Sequence, residues 1–204
     1  MRSESSESVV GLILAAGYSR RFGMQDKRTA SFGDTGTLLS ETLSRVTECF
    51  AHWYVVVREE DDLGALHLPL HTPVIRTCRA SLGQGASMAD AFAAIGELDG
   101  LRNCSAAAVL LGDMPYIQPD TISGLCVYAD EQSLLRATYA GRPGHPVIFG
   151  RRFWTELTKV TGDRGGLDVI RQHPTCYREI PSADAGVCRD IDHLSDFTVA
   201  PETQ

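Results

Sequence analysis

Apolar positions along the chain fall into short unbroken runs separated by stretches with a helical period. Val9–Leu14 is an aliphatic run that ends in Ala15-Ala16-Gly17, as expected of a strand covered on both faces. Leu38–Phe50 repeats apolar residues at Leu38, Leu39, Leu43, Val46 and Phe50, which predicts a helix. Trp53–Val57 predicts a strand and Thr72–Thr77 a shorter one. Ala86–Leu98 puts Met88, Phe92 and Ile95 on one helical face, and Ala106–Leu111 is a second fully apolar strand stopped by Gly112-Asp113-Met114-Pro115. Pro119-Asp120 opens a helix that runs to about Ala129, with proline in the first turn. In the second half, Leu134–Ala140 and Pro146–Phe149 flank a hairpin-like turn, Gly141-Arg142-Pro143-Gly144. Arg151–Val160 and Leu167–Gln172 are short helices, Cys176–Ile180 is a strand and Leu194–Phe197 starts a last helix. Strands alternating with helices predict an α/β layered fold whose sheet is mostly parallel, with an antiparallel hairpin inserted late. Residues 9–200 are expected to form a single domain, preceded by a disordered Ser/Glu-rich tail, Met1–Ser8.

Composition narrows the partners. The chain has 204 residues, 43% apolar and 22% charged, enough for one globular core. Its net charge of -7 repels phosphate backbones and anionic lipid, so neither nucleic acid nor a membrane is expected as the main partner. No apolar run approaches the roughly 18–20 residues of a membrane helix. The start lacks a signal-peptide pattern, and the six cysteines show no CxxC spacing, which fits reduced thiols in a cytoplasm.

Three strand-end segments carry the candidate chemistry. Leu14-Ala15-Ala16-Gly17-Tyr18-Ser19-Arg20-Arg21 follows a buried strand, where open α/β sheets bind ligands. Small residues there let backbone amides approach phosphate oxygens, and Arg20, Arg21, Lys27 and Arg28 add positive charge in an otherwise acidic chain. The spacing fits neither a P-loop nor GxGxxG, and Gly83-Gln84-Gly85 also lacks the third glycine, which disfavours hydride transfer. Asp113, just past the second apolar strand, is placed to hold Mg²⁺ with substrate phosphates completing the shell. In Asp190-Ile191-Asp192, alternation points both carboxylates the same way, either as further metal ligands or as caps of the following helix. His145 opens a strand after a turn. The histidines show no zinc spacing, and no GxSxG or cysteine nucleophile motif is present.

Leu14-Ala-Ala-Gly-Tyr-Ser-Arg-Arg-Phe-Gly23, with Lys27 behind it, resembles the LAAGxSxRMG opening of nucleotidyltransferases acting on molybdenum cofactor. Leu111-Gly-Asp-Met-Pro115 resembles their LGDxP metal motif. Gly144-His-Pro-Val147, Gly162-Asp-Arg-Gly165 and Asp190-Ile-Asp192 resemble the GHP, GDxG and DID elements of the cytidylyl branch. The five elements keep the family's order from residue 12 to about 197. The resemblance implies a Rossmann-like three-layer α/β/α nucleotidyltransferase fold and a molybdenum cofactor cytidylyltransferase activity. CMP would pass from CTP to the terminal phosphate of a molybdopterin-type acceptor, with Mg²⁺ as cofactor and release of pyrophosphate. It implies Arg21, Lys27 and Asp113 as catalytic residues, and Asp113, Asp190 and Asp192 as metal ligands. Leu14, Ala15, Ala16, Gly17, Ser19, Arg21, Lys27, Gln84, Gly85, Ser87 and Asp113 would contact the nucleotide, and His145, Asp163 and Arg164 the acceptor. The guanylyl branch reads LAGG where this chain has LAAG, which favours CTP. The Gly23-Met24-Gln25-Asp26-Lys27 spacing is common in that branch, however, so GTP stays an alternative, as does another phosphorylated acceptor. Phe22 and Arg28-Thr29-Ala30-Ser31 depart from the family's usual residues. A molybdenum hydroxylase is a possible partner, and a non-catalytic cofactor carrier is the reading of another class.

Overall fold

The aliphatic runs found in the sequence become the middle of a sheet. The computed structural model of the chain describes residues 8–19, 22, 25–33, 36–162, 164–193 and 196. In chain order the strands are β1 (Val9–Leu14), β2 (Ser31–Phe32), β3 (Gly36–Thr37), β4 (His52–Arg58), β5 (Val74–Thr77), β6 (Ala106–Leu111), β7 (Leu134–Tyr139), β8 (Arg142–Gly150) and β9 (Tyr177–Ser182). The helices are α1 (Leu38–Val46), α2 (Gln84–Gly96), α3 (Pro119–Cys126), α4 (Trp154–Leu157) and α5 (Leu167–Gln172).

Seven strands form one sheet in the order β5-β4-β1-β6-β8-β7-β9, and β2 with β3 forms a separate antiparallel pair. β1 is central and parallel to both neighbours, with Gly11 opposite Trp53 on one side and Ala108 on the other. β8 runs antiparallel to β6 and β7, while β7 and β9 are parallel, so β8 is the one reversed strand of this sheet. Helices cover both faces, and β1 shows the division residue by residue. Val9 and Ile13 pack into a cluster with Leu39, Leu43 and Val46 of α1 and Ile122 of α3. Val10, Leu12 and Leu14 face Met88, Phe92 and Ile95 of α2 and Trp154 of α4. With side chains alternating along a strand, both sets must be apolar, hence the unbroken run in the sequence. This is the expected layered α/β architecture with a mostly parallel sheet.

Several elements differ in extent. α1 begins at a Thr37/Ser40 capping box and ends at Val46, after which Thr47–Cys49 tightens into a 3-10 turn. The helix expected over residues 151–160 is a 3-10 turn, Arg151–Phe153, followed by the single turn of α4. The hairpin turns two residues earlier than expected, at Ala140-Gly141, where φ is 48° and 74°. Two successive positive φ values give the turn that matches strand twist, so Arg142-Pro143-Gly144 is strand instead of loop. Ser8, expected in the tail, accepts hydrogen bonds from the Ser105 amide and hydroxyl. The rest of the tail and most of the last expected helix lie outside the described residues. Among the described residues no helix is long and apolar enough to cross a membrane.

Candidate nucleotide and metal site

The carboxyl ends of β1 and β6 open onto a cavity of about 590 Å³. Leu14, Ala15, Ala16, Gly17 and Ser19 line one wall with Lys27, and Gln84 and Ser87 at the start of α2 line another. Asp113 and Asp192 close the floor. Segments far apart in sequence thus meet in one concave site. Gly85 is the exception. It is buried and donates its N–H to the Gly162 carbonyl at 2.7 Å, and a Cβ there would lie 2.7 Å from the same oxygen. Its absent side chain joins α2 to the Gly162 loop, leaving Gln84 and Ser87 to face the cavity. The Ala15 amide is likewise engaged, donating to the Val56 carbonyl at 2.8 Å.

Asp113, Asp190 and Asp192 each offer an oxygen, all within 4.8 Å of one another. A backbone bond brings them together, since the Ile191 N–H donates to the Asp113 carbonyl at 3.0 Å. Ile191 is fully buried against Phe22 and Leu38, which turns its two flanking carboxylates the other way. The helix expected to follow the pair lies mostly outside the described residues. Asp196 accepts from the Asp192 and His193 amides at 2.9 and 2.7 Å. Asp113 Oδ1 is buried without a hydrogen-bond partner. An orphaned carboxylate oxygen inside an all-oxygen donor set fits a hard divalent cation such as Mg²⁺ or Mn²⁺.

Lys27 reaches into this cluster. Its ammonium donates to Asp113, to the Ile191 carbonyl at 3.0 Å and to Asp192 Oδ1 at 3.2 Å. Burial pulls the Lys27 pKa down, but Asp113 and Asp192 outweigh it and hold the ammonium above its ordinary value. Burial pushes the Asp113 carboxyl up against the pull of Lys27, and the charges of Asp190 and Asp192 add to the rise.

Arg28 does not add to the positive charge offered to a ligand. Its guanidinium, only 5% exposed, bonds Asp26 and Asp61 and donates to the Ala15 carbonyl at 2.8 Å. Arg58 closes the network on Asp26 at 2.7 Å and stacks on the Tyr18 ring at 4.7 Å. This four-charge lock was missed in the sequence. Its signal was the acidic run Glu59-Glu60-Asp61-Asp62 directly after the strand beside β1, opposite a basic loop.

Of the residues that the resemblance assigns to the acceptor, Arg164 is exposed and Asp163 lies outside the described residues, as does Arg21. His145 sits two residues before Val147, which pairs with Val109. Its Nδ1 lies 3.3 Å from the Val109 carbonyl, so it carries the proton and donates, leaving Nε2 as an acceptor. Burial pushes its pKa down to about 4, against a partial rise from the Val109 bond. A histidine held neutral in the fold contributes stability above the unfolded pKa of about 6.5 that is lost as pH falls towards the folded value. Wild-type protein is therefore expected to lose on the order of 3 kcal/mol relative to His145→Asn between pH 6.5 and 4. Urea midpoints measured across that window check this, and parallel curves would contradict it.

In sequence, no curated protein matches the chain. The crystal structure of a homologue of Mycobacterium tuberculosis Rv0371c, from Mycobacterium sp. strain JC1, superposes with a TM-score of 0.79 at 29% identity, covering 93% of each chain. Rv0371c from Mycobacterium tuberculosis H37Rv, solved in complex with manganese, gives 0.73 at 23% identity over 93% of this chain and 96% of that one. Molybdopterin-guanine dinucleotide biosynthesis protein A from Archaeoglobus fulgidus shares the fold with a TM-score of 0.65 at 18% identity, over 93% and 94%. A family model described as the MobA-like NTP transferase domain matches residues 11–176, from the middle of β1 to the residue before β9. That span takes in the strand-end loops, Lys27 and Asp113, and the chain belongs to the MobA-like NTP transferase domain family.

Proposed function

We propose that the protein transfers CMP from CTP to the terminal phosphate of a molybdopterin-type molybdenum cofactor, releasing pyrophosphate. The observation that carries this reading is the single cavity uniting the Leu14–Ser19 loop, the start of α2 and the Lys27–Asp113–Asp192 cluster. The acceptor phosphate is already anionic, so attack on the α-phosphorus needs no strong general base. The difficulty is holding two anions together and stabilising the departing pyrophosphate. Backbone amides around Ala16–Ser19, with Arg21 and Lys27, hold the β- and γ-phosphates. Gln84 and Ser87 face the ribose and base, while Gly85 acts by fixing the start of α2. Asp113, Asp190 and Asp192 hold a divalent ion, Mg²⁺ in this proposal, which would neutralise charge on the α-phosphate. His145, Asp163 and Arg164 line the acceptor side, with His145 neutral and able to accept a hydrogen bond at Nε2.

CTP rests on the LAAG sequence. The guanylyl-type spacing from Gly23 to Lys27 gives GTP as the second reading. Thermal unfolding with CTP, GTP, ATP and UTP, each with and without Mg²⁺, separates them. A ligand at about 100 times its dissociation constant adds about 2.7 kcal/mol, or roughly 5–10 °C for a chain of this size. A Mg²⁺-dependent shift confined to CTP is expected, followed by pyrophosphate release that requires molybdopterin. A shift with GTP alone would transfer the assignment to the guanylyl branch. Tight pterin binding without pyrophosphate release would make the protein a carrier.

A further inference from the structure

We propose that Lys27 is a built-in counter-cation that closes the Asp113–Asp190–Asp192 centre to free divalent ions until a nucleotide's phosphates draw its ammonium away. Metal and nucleotide then enter together. The inference rests on the metal and phosphate roles proposed above and adds an order to them.

An ammonium has three hydrogens, and here each has an acceptor in the centre: Asp113, Asp192 Oδ1 and the Ile191 carbonyl between the outer two carboxylates. Two of the three aspartates are thus already paired with Nζ, which spans Asp113 Oδ2 and Asp192 Oδ1 and leaves Asp113 Oδ1 without a partner. A divalent ion bridging Asp113 and Asp192 at metal–oxygen distances of about 2.0–2.6 Å would sit against the Nζ charge that spans the same two side chains. Occupancy by one opposes the other.

The same residue is built to let go. Lys27 lies in the 3-10 turn Lys27–Thr29, and its backbone N–H approaches Ser19 Oγ at 3.4 Å, so its main chain is tied to the Leu14–Ser19 loop of the cavity wall. Only the flexible side chain has to turn to pass from the carboxylates to a phosphate bound along Ala16–Ser19. A triphosphate offers the ammonium strong anionic acceptors, and the carboxylates it leaves become ligands for the ion that accompanies the triphosphate. If the carboxylates are free of Lys27 in about one molecule in ten, the apparent affinity for free metal is about tenfold weaker than the intrinsic one. The protein would thereby avoid a metal-filled, nucleotide-free state.

The test is a Mn²⁺ titration of nucleotide-free protein followed by electron paramagnetic resonance of the free ion, with unfolding temperatures recorded in parallel. Lys27→Met and the hydrogen-bonding but uncharged Lys27→Gln are expected to bind Mn²⁺ about tenfold or more tightly than wild type. Mn²⁺ should also raise their unfolding temperatures more than that of wild type. Asp113→Asn should abolish the binding in either background. Equal Mn²⁺ affinity of wild type and both Lys27 variants, with Asp113 still required, would overturn the guarding role and leave the metal centre standing. Absence of Asp113-dependent Mn²⁺ binding in every variant, with or without CTP, would remove the metal centre and the exchange with it.

Discussion

Asp113→Asn is expected to lower nucleotidyl transfer roughly a thousandfold or more while the protein stays folded. The residue lies two positions past the end of β6 at the floor of the cavity, and its Oδ1 is a buried acceptor with nothing to accept from. Replacing one carboxylate oxygen by an amide removes the charge a divalent ion needs, and it also relieves repulsion from Asp190 and Asp192. Lys27 keeps the Ile191 carbonyl and Asp192 as partners, so the loop it belongs to stays anchored. A purely structural Asp113 would show the opposite pattern, with a large fall in unfolding temperature and activity per folded molecule retained. Pyrophosphate release at saturating CTP, set beside the unfolding midpoint, distinguishes the two, and turnover within tenfold of wild type would remove Asp113 from the reaction.

The second large effect belongs to a residue with no place in the chemistry. Arg28→Met should destabilise the protein by about 3 kcal/mol, roughly 6–12 °C in the unfolding midpoint. The guanidinium is nearly sealed and serves Asp26, Asp61 and the Ala15 carbonyl together. Its removal leaves Asp61, whose carboxyl burial already pushes up despite Arg28, with Arg58 as its remaining ion-pair partner. A carboxylate with a raised folded pKa costs most when it is ionised, so the destabilisation should shrink as pH falls through that pKa. The double substitution Arg28→Met/Asp61→Leu removes the buried carboxylate as well and should recover most of the loss. Because the Ala15 carbonyl loses its donor, KM for the nucleotide should rise more than kcat falls. An Arg28→Met protein as stable as wild type would show the lock to be ornamental.

Much of this was legible in the residues, for identifiable reasons. Val9–Leu14 and Ala106–Leu111 stood out because strands covered on both faces must be apolar at every position. The loops after them stood out because small and charged residues cannot continue such a strand. Ile191 between two aspartates announced the alternation that buries the isoleucine, exposes Asp190 and leaves Asp192 half-buried. Other features misled. Arg142-Pro143-Gly144 has turn composition yet continues β8, because the positive φ values fall at Ala140 and Gly141. Arg28 counted as available positive charge until Asp26 and Asp61 were found around it.

The sequence by itself determined most of the strands and helices, that the sheet is mostly parallel, and which loops carry the small and charged residues. Those are local properties, written in the alternation of apolar and polar positions and in backbone preferences within a few residues. Only the tertiary structure decided that β8 lies reversed between β6 and β7, that Gly85 is spent on the Gly162 carbonyl, and that Lys27 rests on Asp192, 165 residues away. Each of these depends on which strand edges meet and which charges share one cavity. That is a property of distances in space, which spacing along the chain does not encode.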